Sequence, residues 1–448
     1  MTAAVAVVVI AGVVGVILAT RPAAPPPVDS ERLRAAVTIE AVTAHLDALQ
    51  RVAEAHDGNR AAGTAGYAAS VDYVEARLTR AGYQTRRQQF SYDRPDYTKA
   101  TLQRTVPTRT DYTVTRDHRP LAYSGAGSVT APVTAVDLAL GGDRATTSGC
   151  EASDFAGFAR GNIALVQRGT CPFSAKVDNA AAAGAGAVVV MNQGNDPGRM
   201  GLFAGTLGRQ AGVPVLATTF ELGAEWAAVP TTLILAVEST VARVTTENLL
   251  ADTPTGTAGR TVVVGAHLDS VAEGPGINDN GSGVAVVLEL ALQFADLGVQ
   301  PHNRVRFAFW GAEEDGLYGS EHYVSELDDT GRRENALYLN LDMVGSPNPK
   351  PAVYAGGAPG SGAIQTVLTD FLTSQGTTPR TVTFRASDHA SFLDAGIPTG
   401  GLFTGAEDGA DPCYHLACDR LETIDRDILG TMADAAAHAT LTFAQSPG

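Results

Sequence analysis

Lysine is almost missing from this chain: of 32 basic residues only Lys99, Lys176 and Lys350 are lysine. Basic residues as a class are outnumbered by 48 acidic ones, which leaves a formal net charge of −16. That balance excludes nucleic acid and anionic lipid as partners, since both are held through a basic footprint. Cysteine is scarce too, at four: Cys150, Cys171, Cys413 and Cys418. Three pairings are open to them, and two local pairs are the simplest. Few and even cysteines in an exported chain favour disulfides over a metal site. The rest is ordinary. With 44% apolar and 18% charged residues over 448 positions, the chain can bury a large core in two or three domains.

One long apolar run stands at the front. Residues 2–20 are almost wholly Ala, Val, Ile, Leu and Gly, and a Pro-rich stretch follows at 21–27. This reads as an export segment, a signal peptide or a membrane anchor, so residues 1–28 are set apart from the fold. Residues 31–49 carry Leu33, Val37, Val42, Leu46 and Leu49 at helical spacing, and a second helix is expected over 67–81. From 117 to about 240 the pattern changes to short β runs around one Ala-rich helix. From Thr261 onward strands and helices alternate, which implies a mainly parallel sheet covered by helices.

Chemistry-bearing residues recur where those strands end. Val262, Val263 and Val264 form a buried strand that ends in His267 and Asp269, and a Gly-rich loop then brings Asp279. Glu313 and Glu314 follow FAFWGA, Asp342 sits in YLNLDMV, and His415 in DPCYHLACD. Each alone is weak, because a lone histidine is usually structural and a Glu-Glu pair is usually solvated. Five such groups after successive strands carry more weight, because strand ends in an open α/β sheet converge on one crevice. Nitrogen and oxygen ligands there suit zinc.

The motifs HLDSV, NDNGSGVA, WGAEEDGLYGS, NLDMVG and DPCYHLACD resemble the M28 family of zinc aminopeptidases. The resemblance covers residues 31–116 and 240–445. Residues 161–192, with RGTCPF followed by AGA and VVV, resemble a protease-associated (PA) domain. Together they imply an α/β fold: a mainly parallel, mixed sheet flanked by helices with an inserted β-rich PA domain. The expected division is 29–116 and 241–448 for the peptidase and 117–240 for the insertion.

By motif, the resemblance implies two Zn2+ ions. His267 and Asp342 would hold one, Glu314 and His415 the other, and Asp279 would bridge them. Glu313 would be the general base, Asp269 would orient the His267 imidazole, and Tyr414 would help stabilise the oxyanion. A Cys413–Cys418 disulfide would hold Tyr414 and His415 in place, and Cys150–Cys171 would lie inside the PA-like module. Arg385 stands one position before the place where related enzymes carry a substrate-binding base, with Ala386 in that place. His389 is read as structural, and the Asn280-Gly281-Ser282 glycosylation pattern as a false positive. Zinc would lower the pKa of water to about 7 and polarise the peptide carbonyl.

The expected enzyme is an exported or envelope-associated metallo-exopeptidase, a monomer acting on peptide or protein N-termini. Three alternatives stand beside it: a carboxypeptidase of the same fold, a non-catalytic receptor-like protein, and a single-zinc cyclase. The acids Glu313, Asp342 and Glu407 near the motifs favour recognition of an α-ammonium.

Overall fold

The computed structural model describes residues 29–406 and 409–447. The apolar stretch 2–20 and Glu407 lie outside the described residues. Among those described, no helix is long and apolar enough to cross a membrane. Two compact units emerge: residues up to Gln88 with those from Glu247, and Gln89–Thr246.

The first unit is built on a mixed sheet. From edge to edge its strands are Arg380–Val382, Ala352–Tyr354, Thr399–Phe403, Asn335–Leu341, Thr257–His267, Asn303–Trp310 and the end of Thr232–Asp252. The four from Thr399–Phe403 to Asn303–Trp310 run parallel. Antiparallel strands flank them on both sides. Val262, Val263 and Val264 are at most 1% exposed, as a β-branched run covered on both faces should be. From Thr257–His267 the chain steps to one neighbour, Asn303–Trp310, and then to the other, Asn335–Leu341. The strand order therefore reverses beside Thr257–His267, and a crevice opens there at the carboxyl ends.

Helices cover the sheet for local reasons. Gly283–Asp296 is apolar all round and buried through most of its length. The helix expected over 31–49 is two, Ser30–Ala36 and Ile39–Ala55. Thr38 causes the break: its backbone is extended and its hydroxyl accepts the Ala41 N–H as an N-cap. Thr64 caps Ala65–Arg80 in the same way.

In the second unit the strands Gly127–Ala135, Ile163–Gln167, Ala187–Met191 and Val215–Thr218 run parallel to one another, with Thr232–Asp252 antiparallel on one side and His118–Pro120 antiparallel on the other. The expected Ala-rich helix is Phe173–Ala183. The unit begins at Gln89, well before Asp117, because the long strand Thr85–Val106 pairs with Thr232–Asp252 and carries most of its length into it. Cys150 is bonded to Cys171 and Cys413 to Cys418.

Candidate metal centre

Strand ends of the first unit deliver part of the centre, and the loops that follow strands deliver the rest. His267 is the last residue of Thr257–His267, Asp342 follows Asn335–Leu341, and the Glu pair follows Asn303–Trp310. Asp279 arrives on the turn Ile277–Ser282, ahead of the helix Gly283–Asp296. His415 sits in the disulfide loop with left-handed backbone (φ 57°).

The side chains converge. His267 Nε2 lies 3.3 Å from Asp279 Oδ1 and 3.4 Å from Asp342 Oδ1. His415 Nε2 lies 3.1 Å from Asp279 Oδ2 and 3.0 Å from Glu314 Oε2. The two oxygens of Asp279 thus face two different imidazoles. The ligand atoms of His267, Asp279 and Asp342 lie within 4.8 Å of one another, and so do those of Asp279, Glu314 and His415. His267, Glu313 and Glu314 form a third such group.

The adjacent glutamates face different imidazoles while staying close to each other: Glu313 Oε2 is 3.9 Å from His267 Nε2, Glu314 Oε2 is 3.0 Å from His415 Nε2, and one oxygen of each lies within 4.8 Å of the other. The backbone is irregular there, with Ala312 in the left-handed region (φ 59°) just before them. Gly311 precedes it, and a Cβ at that position would meet Tyr67 Oη at 2.5 Å.

Electrostatics follow from burial. Burial would lower His415, but its bonds to Asp279 and Glu314 win and raise it to about 10. Burial opposes a charge on His267 as well, yet Glu313 and Asp342 hold it well above the ordinary imidazole range. Burial pushes the Glu314 carboxyl up to about 8, with Asp279 adding repulsion. Burial also raises Glu313 well above the ordinary carboxyl range, helped by Glu314 and Asp342. Asp279 goes down despite burial, because both imidazoles bond to it. Glu314 Oε1 and Asp342 Oδ1 are buried and accept no hydrogen bond. Buried acceptors without donors cost free energy, and a cation between them and the imidazoles removes that cost. The donor set therefore fits zinc.

Asp269 meets both the His267 ring and the backbone of the glutamate pair. Its carboxylate is 3.7 Å from His267 Nδ1, too far for a hydrogen bond, and Nδ1 instead meets the Asp269 carbonyl oxygen at 3.2 Å. The carboxylate accepts the backbone N–H groups of Glu313 and Glu314, each at 3.2 Å.

Tyr414 stacks on His415 with ring centroids 3.8 Å apart and lines a cleft of about 350 Å³. Met343, Val382, Phe384 and Phe403 form its apolar wall, and Lys350 and Arg380 also line it. Arg385 does not; it is paired with Asp394 at the surface, and Ala386 lines the cleft instead. His389 stacks on Tyr354 and bonds the Phe384 carbonyl, outside the metal groups. Asn280 is fully buried, with its amide bonded to Leu341, Gly283 and Met343, so it presents nothing to a glycosyl donor.

Asp419 is absent from the sequence expectations. It accepts the N–H of Asn278 at 2.7 Å and of Asp279 at 2.9 Å, and so fixes the turn that carries Asp279. Asp411 bonds the Asn278 side chain at 2.6 Å. The one sequence signal is that both acids bracket CYHLAC.

The profile of Peptidase family M28 matches residues 248–440, and that of the PA domain residues 129–226. The chain is 44% identical to an aminopeptidase of Pseudomonas aeruginosa strain UCBPP-PA14 over 430 residues, covering 89% of this chain and 80% of that protein. It is 41% identical to the probable lipoprotein aminopeptidase LpqL of Mycobacterium tuberculosis, covering 93% and 87%. Among solved structures, the aminopeptidase from Aneurinibacillus sp. strain AM-1 superposes with a TM-score of 0.79 at 27% identity, over 93% of this chain and 97% of that one. A zinc aminopeptidase from Bacillus subtilis gives 0.63 at 26%, over 95% and 97%. With its strand-end carboxylates and imidazoles and its PA domain, the chain belongs to peptidase family M28.

Proposed function

We propose that this M28 aminopeptidase is an exported enzyme that holds two zinc ions and removes N-terminal residues from peptides. The observation that carries the reading is the placement of Asp279, with one oxygen toward His267 and the other toward His415. His267 and Asp342 would hold one ion, Glu314 and His415 the other, and Asp279 would bridge. Zinc so held supplies a Lewis acid and brings the pKa of a coordinated water down to about 7.

The chain's own groups do the rest. Glu313 takes a proton from the attacking water and returns it to the leaving amine. A carboxyl whose proton affinity is raised by burial suits a group that accepts and then releases a proton. Tyr414 donates to the carbonyl oxygen as charge develops there. The carboxylates of the centre attract the α-ammonium of the substrate, and the wall of Met343, Val382, Phe384 and Phe403 suits a large apolar N-terminal side chain. Export is supported by the two disulfides, which persist in oxidising compartments.

A carboxypeptidase is the second reading, favoured by Arg380 and Lys350 in the cleft lining. A matched set of peptides with free or acetylated N-termini and free or amidated C-termini decides. The aminopeptidase cuts only those with a free amine and ignores amidation. Cleavage of acetylated peptides, blocked by amidation, would replace it with the carboxypeptidase.

A further inference from the structure

Arg60 is buried completely, and no other arginine among the described residues is below 9% exposure. It reaches in from the segment between the helices Ile39–Ala55 and Ala65–Arg80, far in sequence from every metal group. Its guanidinium meets backbone carbonyls. Nε donates to Pro275 O at 2.9 Å, Nη2 to Gly276 O at 2.7 Å, and Nη1 to Leu268 O. Its own N–H donates to Ser270 Oγ at 2.9 Å, and Ser270 Oγ donates on to Gly274 O at 3.0 Å.

All these partners belong to residues 268–276, the loop that joins the strand ending at His267 to the turn carrying Asp279. The loop is packed without slack. Gly276 has left-handed backbone (φ 61°), and a Cβ there would stand 2.3 Å from Asp279 O and 3.3 Å from Arg60 Nη2.

We propose that Arg60 is a positioning residue for the metal centre, a clamp that fixes the path between His267 and Asp279 so that Asp279 can face both ions. The proposal rests on the two-zinc reading above. Its charge serves the same end. Asp269, Asp419, Asp279 and Glu314 all act on the guanidinium, and burial lowers it only to about 10, so it is a cation at neutral pH. The acids in and around the centre include Asp269, Asp279, Glu313, Glu314, Asp342, Asp388 and Asp419. Two zinc ions would bring four positive charges against them, and Arg60, which does not line the cleft, brings a fifth. Lysine would keep the charge but not the planar fork that meets three carbonyls at once.

The test compares wild type, Arg60→Met, Arg60→Lys and Arg60→Ala for zinc affinity by chelator competition, together with kcat and KM at saturating zinc and the far-UV circular dichroism spectrum. Outer partners of metal ligands are worth about 10–100-fold in affinity or activity. Arg60→Met is expected to keep the spectrum, lose zinc affinity and kcat within that range, and keep KM within about twofold. Arg60→Lys should fall between, and methylguanidinium should restore zinc affinity to Arg60→Ala. If Arg60→Met does not fold, Arg60→Lys decides: a loss of zinc affinity supports the clamp, and wild-type affinity overturns it. Wild-type affinity and kcat in folded Arg60→Met also overturn it. A wild-type protein that binds no zinc would sink the reading and the clamp together, whereas variants that match a zinc-binding wild type sink the clamp alone.

Discussion

The carboxylate of Asp269 accepts the backbone N–H of Glu314 at 3.2 Å, and its other oxygen accepts that of Glu313 at the same distance. One wholly buried side chain thus sets the peptide planes of two glutamates that face different imidazoles. Asp269→Asn keeps one acceptor oxygen and turns an NH2 toward the other N–H. It is expected to lower kcat/KM by about 10–100-fold and to weaken zinc binding, as Asp269→Ala should. Near-wild-type kinetics and zinc content in Asp269→Asn would contradict this role.

Glu313 and Glu314 should separate by substitution. Glu313→Gln is expected to hold zinc normally and lose on the order of 10²–10⁴-fold in kcat, since the amide cannot accept a proton. Glu314→Gln should lose zinc affinity first. Kinetics and zinc content on the same preparations check both, and a fast Glu313→Gln would mean that another group is the base.

The Cys413–Cys418 bond closes a loop of five positions around Tyr414 and His415, with His415 in the left-handed region. Replacing both cysteines by serine should cost about 2 kcal/mol of stability by loop-closure entropy. Zinc affinity should fall as well, because His415 is freed from a backbone conformation that a non-glycine residue seldom adopts. Calorimetry and chelator competition measure the two effects. A destabilised variant with unchanged zinc affinity would confine the disulfide to a structural role.

Metal-free protein should lose stability as pH rises. Glu314 stands at about 8 in the folded state against an ordinary 4.5, and His415 at about 10 against 6.5. A group raised by folding contributes fully below its unfolded pKa and loses that contribution as pH climbs through the folded one. Both groups therefore act in the same direction, across roughly pH 4.5–10. Zinc replaces those protons, so the loaded protein should be much less sensitive and loading should release protons. Melting temperatures of both forms between about pH 5 and 9 test this. A metal-free protein that gains stability over that window would contradict it.

Much of the centre is legible in the sequence because its groups sit at strand ends, and strand ends converge where the strand order reverses. His267, Asp279, the Glu313–Glu314 pair, Asp342 and His415 can be read as a set that way, whereas the division of the two glutamates into ligand and base came only with the resemblance to M28 peptidases. Asp269 could be placed near the centre but not given its task, because its partners are backbone N–H groups 44 and 45 positions away. Asp419 and Arg60 escape for the same reason: one accepts amides and the other donates to carbonyls, and backbone groups leave no trace in residue identity. The two helices split at Thr38 show the limit in the fold. Apolar spacing alone reads through a cap that the threonine hydroxyl makes.

The central claim is that one carboxylate, Asp279, joins two zinc sites needed for turnover. The most direct test adds zinc stepwise to metal-free protein and follows bound zinc per chain and hydrolysis of an N-terminal leucyl peptide in the same samples. The account predicts two zinc ions per chain at saturation and no turnover in their absence. For Asp279→Asn it predicts loss of both the second ion and the activity. Full turnover without metal, or Asp279→Asn with two ions and wild-type rates, would contradict it.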